Sequence, residues 1–249
     1  MIIQIIGLPG SGKTTLAKAL ADRINAIVLN ADEVRADLNK DLGFTPEDRV
    51  EQARRMGALC RLLDKQGHIV IADFVCPTEE ARGAFGRYDL RVFMDRIQEG
   101  RFEDTNRLFE RPKKFDIGFV NKTVAEEVDD ILTTFKLPDW KAPTTLMLGR
   151  YQPWHDGHAA LLEKAHERTD QVLIAVRDTQ GTSEKDPFSY QQVAGQIISA
   201  NARPPFVMKV PNITNIVYGR DVGYKIEQVD LGAEIHSISA TEKRKEMGL

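Results

Sequence analysis

The apolar positions of this chain fall into two alternating patterns. Short unbroken apolar runs read as buried strands at Met1–Ile6, Ala26–Leu29, His68–Phe74 and Leu90–Met94, and again at Leu146–Leu148 and Gln171–Val176. Between them lie segments with helical spacing: Thr14–Arg23, Arg49–Lys65, Thr123–Phe135, Ala159–Arg168 and Tyr190–Ala200. The Arg49–Lys65 segment puts Val50, Ala53, Met56, Ala58, Leu59, Leu62 and Leu63 on its predicted apolar side, and Gly67 ends it as a glycine after the last helical residue does. Strands alternating with helices predict an α/β protein with parallel sheets.

The alternation breaks once. Leu137–Thr145 (LPDWKAPTT) carries two prolines between a predicted helix and a new strand, as a linker does. It predicts two domains, residues 1–141 and 142–249. Their glycine motifs differ, so the halves do not read as a repeat.

Composition narrows the class. A length of 249 residues allows one large domain or two small ones. The net charge of −3 offers no basic surface for nucleic acid or an anionic membrane. The expected partners are small-molecule substrates, with no nucleic acid and no membrane; homo-oligomerisation stays open. The two cysteines, Cys60 and Cys76, read as reduced, buried thiols. The apolar start is short, lacks a basic segment and leads into a glycine loop, unlike a signal peptide. No apolar run reaches the ~18 residues of a membrane span. A cytoplasmic enzyme is the expectation.

Gly7–Thr14 (GLPGSGKT) fits G-x-x-x-x-G-K-S/T at every fixed position. It follows a predicted strand and opens a predicted helix, the setting of a phosphate-binding loop. Gly7, Gly10, Ser11 and Gly12 would turn backbone N–H groups towards the phosphates of ATP, beside the positive end of the helix. Lys13 would reach the β- and γ-phosphates, Thr14 would hold Mg²⁺, and Thr15 follows in the same turn. Asp32 lies just past the second strand. It reads as a base for an attacking hydroxyl, as a ligand to Mg²⁺ through water, or as a helix N-cap. Asp73, at the end of the third strand, is a second carboxylate candidate.

Around these residues, NADEVR (Asn30–Arg35), LNKDLGF (Leu38–Phe44), Asp48-Arg49 and Arg54-Arg55 resemble the adenylylsulfate kinase family, with its D-G-D-N-V/I-R, L-N-x-D-L-G-F, D-R and R-R at matching spacing. The likeness covers about residues 1–135. It implies that Asp32 is the base and that Arg35, Phe44 and Arg49 contact the acceptor. The departures are Asn30 for the family's first Asp, Ala31 for its Gly, and DFVCP (Asp73–Pro77) for S-F-I/V-S/A-P. The family's lysine-rich lid reads GRFEDTNRLFERPKK (Gly100–Lys114), in which Arg107 and Arg111 are the candidates to clamp a transferring phosphate.

A second motif, Gly149–His158 (GRYQPWHDGH), also sits between a strand and a helix. His155 and His158 at a helix start can donate to phosphate oxygens while charge develops on an α-phosphate. Near the C-terminus, ISATEKR (Ile238–Arg244) offers Ser239, Thr241 and Arg244 to anionic oxygens. Together the two segments resemble the H-x-G-H nucleotidyltransferase superfamily. That likeness implies a Rossmann-like second domain in which His155 and His158 stabilise the transferring nucleotidyl group, and Ser239, Thr241 and Arg244 bind the β- and γ-phosphates. Gly149, Arg150, Gln152 and Pro153 look most like the nicotinamide-mononucleotide adenylyltransferase branch, which favours ATP over CTP as donor. Arg177–Ser189 (RDTQGTSEKDPFS) is a candidate border of the acceptor pocket, and Gly219-Arg220-Asp221 a candidate nucleotide contact.

A kinase joined to a nucleotidyltransferase suggests consecutive steps: phosphorylation of an alcohol, then transfer of a nucleotidyl group onto a phosphate with release of pyrophosphate. The other readings are sulfate activation, a nicotinamide riboside kinase fused to its adenylyltransferase, and a nucleotide sensor without catalysis. Sulfurylases of this superfamily carry Q-x-R-N-P-x-H-x-x-H on a much larger domain, and the nicotinamide fusions typically run in the opposite order.

Overall fold

A computed structural model describes residues 1–217, 219, 223, 225–232 and 238–248. The predicted contact at Gly219-Arg220-Asp221 rests on Arg220 and Asp221, which lie outside the described residues. The chain divides into two compact units, Met1–Lys141 and Ala142–Leu249. No helix among the described residues is long and apolar enough to cross a membrane.

The first unit is built on a five-stranded parallel sheet in the order β2-β3-β1-β4-β5. Its strands are β1 (Ile2–Gly7), β2 (Ile27–Asn30), β3 (Val70–Asp73), β4 (Leu90–Met94) and β5 (Ile117–Phe119). Its helices are α1 (Lys13–Ile24), α2 (Ala31–Asp37), α3 (Pro46–Lys65), α4 (Glu79–Phe85), α5 (Glu103–Leu108) and α6 (Val124–Phe135). β1 shows why its run is unbroken. Ile2 and Ile6 join a core with Met56 and Cys60 of α3 and Phe85 of α4. Ile3 and Ile5 join a second core with Leu16 and Leu20 of α1 and Ile131 of α6. Successive strand side chains point to opposite faces, and helices cover both.

The core side of α3 keeps Val50, Ala53, Met56, Leu59 and Leu63 of the predicted stripe and leaves out Leu62. Gln52, Ala53, Met56, Gly57 and Cys60 are buried, whereas Leu62 is 60% exposed. Gly57 sets the approach to α4, because a Cβ there would lie 1.9 Å from the Phe85 carbonyl oxygen at the end of α4. The helix approaches α4 through its smallest residue, and the leucines flank that contact.

The second unit holds a three-stranded parallel sheet, β6 (Thr144–Gly149), β7 (Gln171–Arg177) and β8 (Phe206–Val210), in that order. The sequence pattern missed β8, a short FVMKV run that Pro204-Pro205 and Pro211 do bracket with turn signals. Helices α7 (Asp156–His166) and α8 (Tyr190–Ala200) pack Leu162, Val193 and Ile197 onto Ile174 and Val176 of β7. A last helix, α9 (Ala240–Glu246), is capped by Ser239, whose hydroxyl accepts from the Glu242 N–H.

Candidate active sites

In the first unit the glycine loop joins β1 to α1 at the carboxyl edge of the sheet. Gly7 has φ +149°, and a Cβ there would come within 2.6 Å of the Met94 carbonyl oxygen on β4. Gly10 and Gly12 both have φ +93°, where other residues are strained. The loop is thus held close to β4, and the Ser11 N–H closes it by donating to the Leu8 carbonyl at 3.1 Å. Ser11 Oγ is buried without a hydrogen-bond partner. Lys13 is 8% exposed and donates from Nζ to the Leu8 carbonyl at 3.0 Å. Burial lowers its pKa, Asp73 and Asp32 oppose that shift, and Arg101 adds to it.

The cap of α2 is Asn30 rather than Asp32. Asn30 Oδ1 accepts from the N–H groups of Asp32 (3.0 Å) and Glu33 (3.2 Å). Its amide donates to Asp73 Oδ2 at 2.7 Å and approaches Thr14 Oγ1 at 3.4 Å. Asn30 therefore ties the ends of β2 and β3 to the start of α1. Asp73 is buried by this pairing, while the Asp32 side chain is exposed and makes no hydrogen bond among the described residues.

These groups open on one cavity of about 750 Å³, lined on the loop side by Gly10, Lys13 and Thr14 and on the far side by Arg35, Phe44 and Arg49. Arg35 lies over the Phe44 ring at 4.8 Å and Arg49 at 5.7 Å. Arg35 also donates to the carbonyls of Gly43 (2.5 Å) and Leu42 (3.3 Å), and burial lowers its pKa. The two lid arginines singled out in the sequence lie outside this cavity. Arg107 pairs with Glu103 on the exposed face of α5, and Arg111 pairs with Asp95 at 2.6 Å over the Phe93 ring. Arg101, Phe102, Asp104 and Thr105 line the cavity instead. The lid segment Gly100–Lys114 was legible in the sequence, but not which of its residues face the cavity, because α5 is six residues long and shows no apolar period.

In the second unit, Gly149 ends β6 and the ring of Tyr151 packs against it, 2.8 Å from where a Cβ would stand. His155 is the residue before α7, and His158 is in its first turn. Their rings stack with centroids 3.7 Å apart, and both Nδ1 atoms are buried without a partner. The C-terminal motif reaches this segment: Arg244 donates from Nη1 to the Gln152 carbonyl at 2.6 Å and from Nη2 to Thr241 Oγ1 at 3.1 Å. Arg150 and Gln152 hold the loop after β7. Arg150 pairs with Asp186 at 3.3 Å, and the Gln152 amide exchanges two hydrogen bonds with the Phe188 backbone. That loop, with Arg177, Thr179, Ser189 and Lys209, borders a cavity of about 190 Å³.

Burial pushes His158 down to about 3, with His155 contributing. Burial lowers His155 too, against a pull from Asp156. The folded chain therefore resists a proton that the unfolded chain takes up on His158 near pH 6.5. Stability should fall as pH drops from about 6.5 towards 3, by up to about 1.4 kcal/mol per pH unit from this group. Urea titrations at falling pH should show a shallower loss in His158→Gln than in the wild type; equal slopes would mean that His158 titrates normally.

Both sites have the chemistry of phosphate recognition, and known proteins share it. The adenylylsulphate kinase family model matches residues 1–110, and the cytidylyltransferase-like model matches residues 146–225. Adenylyl-sulfate kinase of Bacillus licheniformis is 49% identical over 87 residues, 33% of this chain and 44% of that protein. Adenylyl-sulfate kinase of Paraburkholderia xenovorans is 39% identical over 126 residues, 47% of this chain and 70% of that protein. The bifunctional enzyme NodQ of Azospirillum brasilense is 40% identical over 108 residues, 38% of this chain and 17% of that protein. The chain spans about half the length of the first two curated relatives it matches. The chain belongs to the adenylylsulfate kinase family through its N-terminal unit and is an enzyme that adds to this kinase domain a nucleotidyltransferase-like domain.

Proposed function

We propose that the first unit phosphorylates a small-molecule alcohol with ATP, and that the second transfers a nucleotidyl group from ATP or CTP to a phosphorylated small molecule, releasing pyrophosphate. The observation that carries the kinase reading is the single cavity in which the glycine loop and Lys13 face Arg35, Phe44 and Arg49. The buried, unpartnered Ser11 hydroxyl suits a phosphate oxygen. Thr14, with Asp32 and Asp73 acting through water, forms an oxygen donor set of the kind Mg²⁺ takes. Bound Mg²⁺ supplies charge neutralisation on the phosphate oxygens.

Asp32 is the base in this account. It is exposed to the cavity with both oxygens available, so it can accept the proton of an acceptor hydroxyl. Asp73 is held by Asn30, whose amide also reaches Thr14. Lys13 carries positive charge to the transferring phosphate, and Arg101 approaches from the lid side. Identity to adenylyl-sulfate kinases favours a second reading, in which adenylylsulfate is the acceptor.

In the second unit, neutral His155 and His158 each keep an N–H to donate to the nucleotidyl phosphate, and their orphan nitrogens support that role. Ser239, Thr241 and Arg244 hold the leaving phosphates. Arg150 and Gln152 act on the acceptor side by fixing the Arg177–Ser189 loop.

The test is pyrophosphate release with each of ATP, CTP, GTP and UTP against phosphorylated small metabolites, among them nicotinamide mononucleotide and glycerol phosphate. Acceptor-dependent release with one nucleotide establishes the transfer and names the donor. ATP formation from adenylylsulfate and pyrophosphate would replace this reading with sulfate activation.

A further inference from the structure

Of the three arginines lining the kinase cavity, Arg101 stands on the lid side, and the two on the Phe44 side, Arg35 and Arg49, are already engaged. Arg49 is largely buried, its side chain 11% exposed. It donates from Nε to the Phe44 carbonyl at 3.0 Å and from Nη2 to Asp104 Oδ2 at 2.7 Å and Thr105 Oγ1 at 3.1 Å. Arg35 is held on the carbonyls of Leu42 and Gly43. Asp104 belongs to the chain itself and lines the cavity beside the guanidinium. A sulfate or phosphate brought to Arg49 would meet a cation whose charge is already compensated, and would meet the Asp104 carboxylate at close range. Like charges at such a distance weigh against an anionic ligand there. Beside Arg49 the lining also offers aromatic surface: Phe44 is 63% exposed and Phe102 is 56% exposed.

We infer that Asp104 is a specificity-determining residue: it serves as a built-in counter-anion for Arg49, so that the kinase accepts a hydroxylated molecule with a flat unsaturated face and no anionic group where it meets Arg49. This rests on the kinase reading of the cavity and names the acceptor class within it. The acceptor hydroxyl reaches Asp32, the flat face lies against Phe44 and Phe102, and Arg49 contributes shape and its remaining N–H groups to neutral oxygens. Asp104 itself is exposed on a short surface helix, so its replacement leaves the two cores of the unit untouched.

The experiment uses the full chain saturated with a non-hydrolysable ATP analogue and Mg²⁺. Wild type and Asp104→Asn are titrated with adenylylsulfate, an anionic probe, and with adenosine, a flat uncharged one, by calorimetry. Asp104→Asn should tighten adenylylsulfate binding by about tenfold, the scale of a removed like charge at a recognition site, and leave adenosine within about twofold. Adenylylsulfate affinity unchanged or weakened in Asp104→Asn overturns the inference, as does efficient phosphorylation of adenylylsulfate by the wild type. Binding of the ATP analogue is read first in the same cell. Its absence removes the kinase reading, while its presence with an unresponsive Asp104→Asn removes only the acceptor class.

Discussion

Lys13→Ala should lower acceptor-dependent ADP formation by about 10³-fold, the scale of losing a fixed cation at a transferring phosphoryl group. Pyrophosphate release by the same protein should stay within about twofold of wild type, because the second unit folds around its own sheet and core. The lysine is 8% exposed and its ammonium is pinned on the Leu8 carbonyl, so it is held over the loop before any substrate arrives. Burial disfavours its charge and the two aspartates across the cavity, Asp73 and Asp32, favour it. Alanine removes the only lysine lining this cavity among the described residues. Steady-state ADP formation at saturating ATP, with the urea midpoint as a check on folding, reads the effect. A loss below tenfold would mean that Lys13 does not meet the transferring phosphate.

His158→Ala should lower nucleotidyl transfer by ~10²–10³-fold, as loss of one aimed donor does, with kinase activity unchanged. His155→Ala should act in the same direction. The rings stack at 3.7 Å and both are kept neutral by burial, so two protonated imidazoles at that distance are not the working state. His158 is the more buried of the pair and also meets the Tyr151 ring edge-on at 5.0 Å. That packing fixes where its N–H points. Pyrophosphate release with the identified donor measures the loss. A raised KM with kcat preserved would show that His158 serves ground-state binding and not the transfer.

The motifs were legible because each is local. Gly7–Thr14 needs one strand, one turn and one helix start, and the structure puts Gly7 on β1 and Lys13 at the first position of α1. His155 and His158 likewise share one turn at the start of α7. Roles that depend on distant partners were not legible. Asn30 and Asp73 are 43 residues apart and meet only because β2 and β3 pair in register. The same pairing explains a departure from the adenylylsulfate kinase pattern: the carboxylate expected at position 30 stands at position 73, still within one hydrogen bond of its partner. Arg49 and Asp104 are separated by 55 residues, and no periodicity in either segment announces the contact. Gln152 and Arg150 fit the nucleotidyltransferase motif by spacing, but their side chains hold the loop before α8. The α3 stripe was legible at Val50, Ala53, Met56, Leu59 and Leu63 but not at Leu62, because an apolar pattern ignores Gly57, whose missing side chain sets the approach to α4.

On the proposed function, one chain carries two separate active sites. ADP and pyrophosphate followed together in wild type, Lys13→Ala and His158→Ala test it most directly. Lys13→Ala should release pyrophosphate without acceptor-dependent ADP, and His158→Ala should form ADP without pyrophosphate. Loss of both products in either variant, with its urea midpoint unchanged, would contradict it.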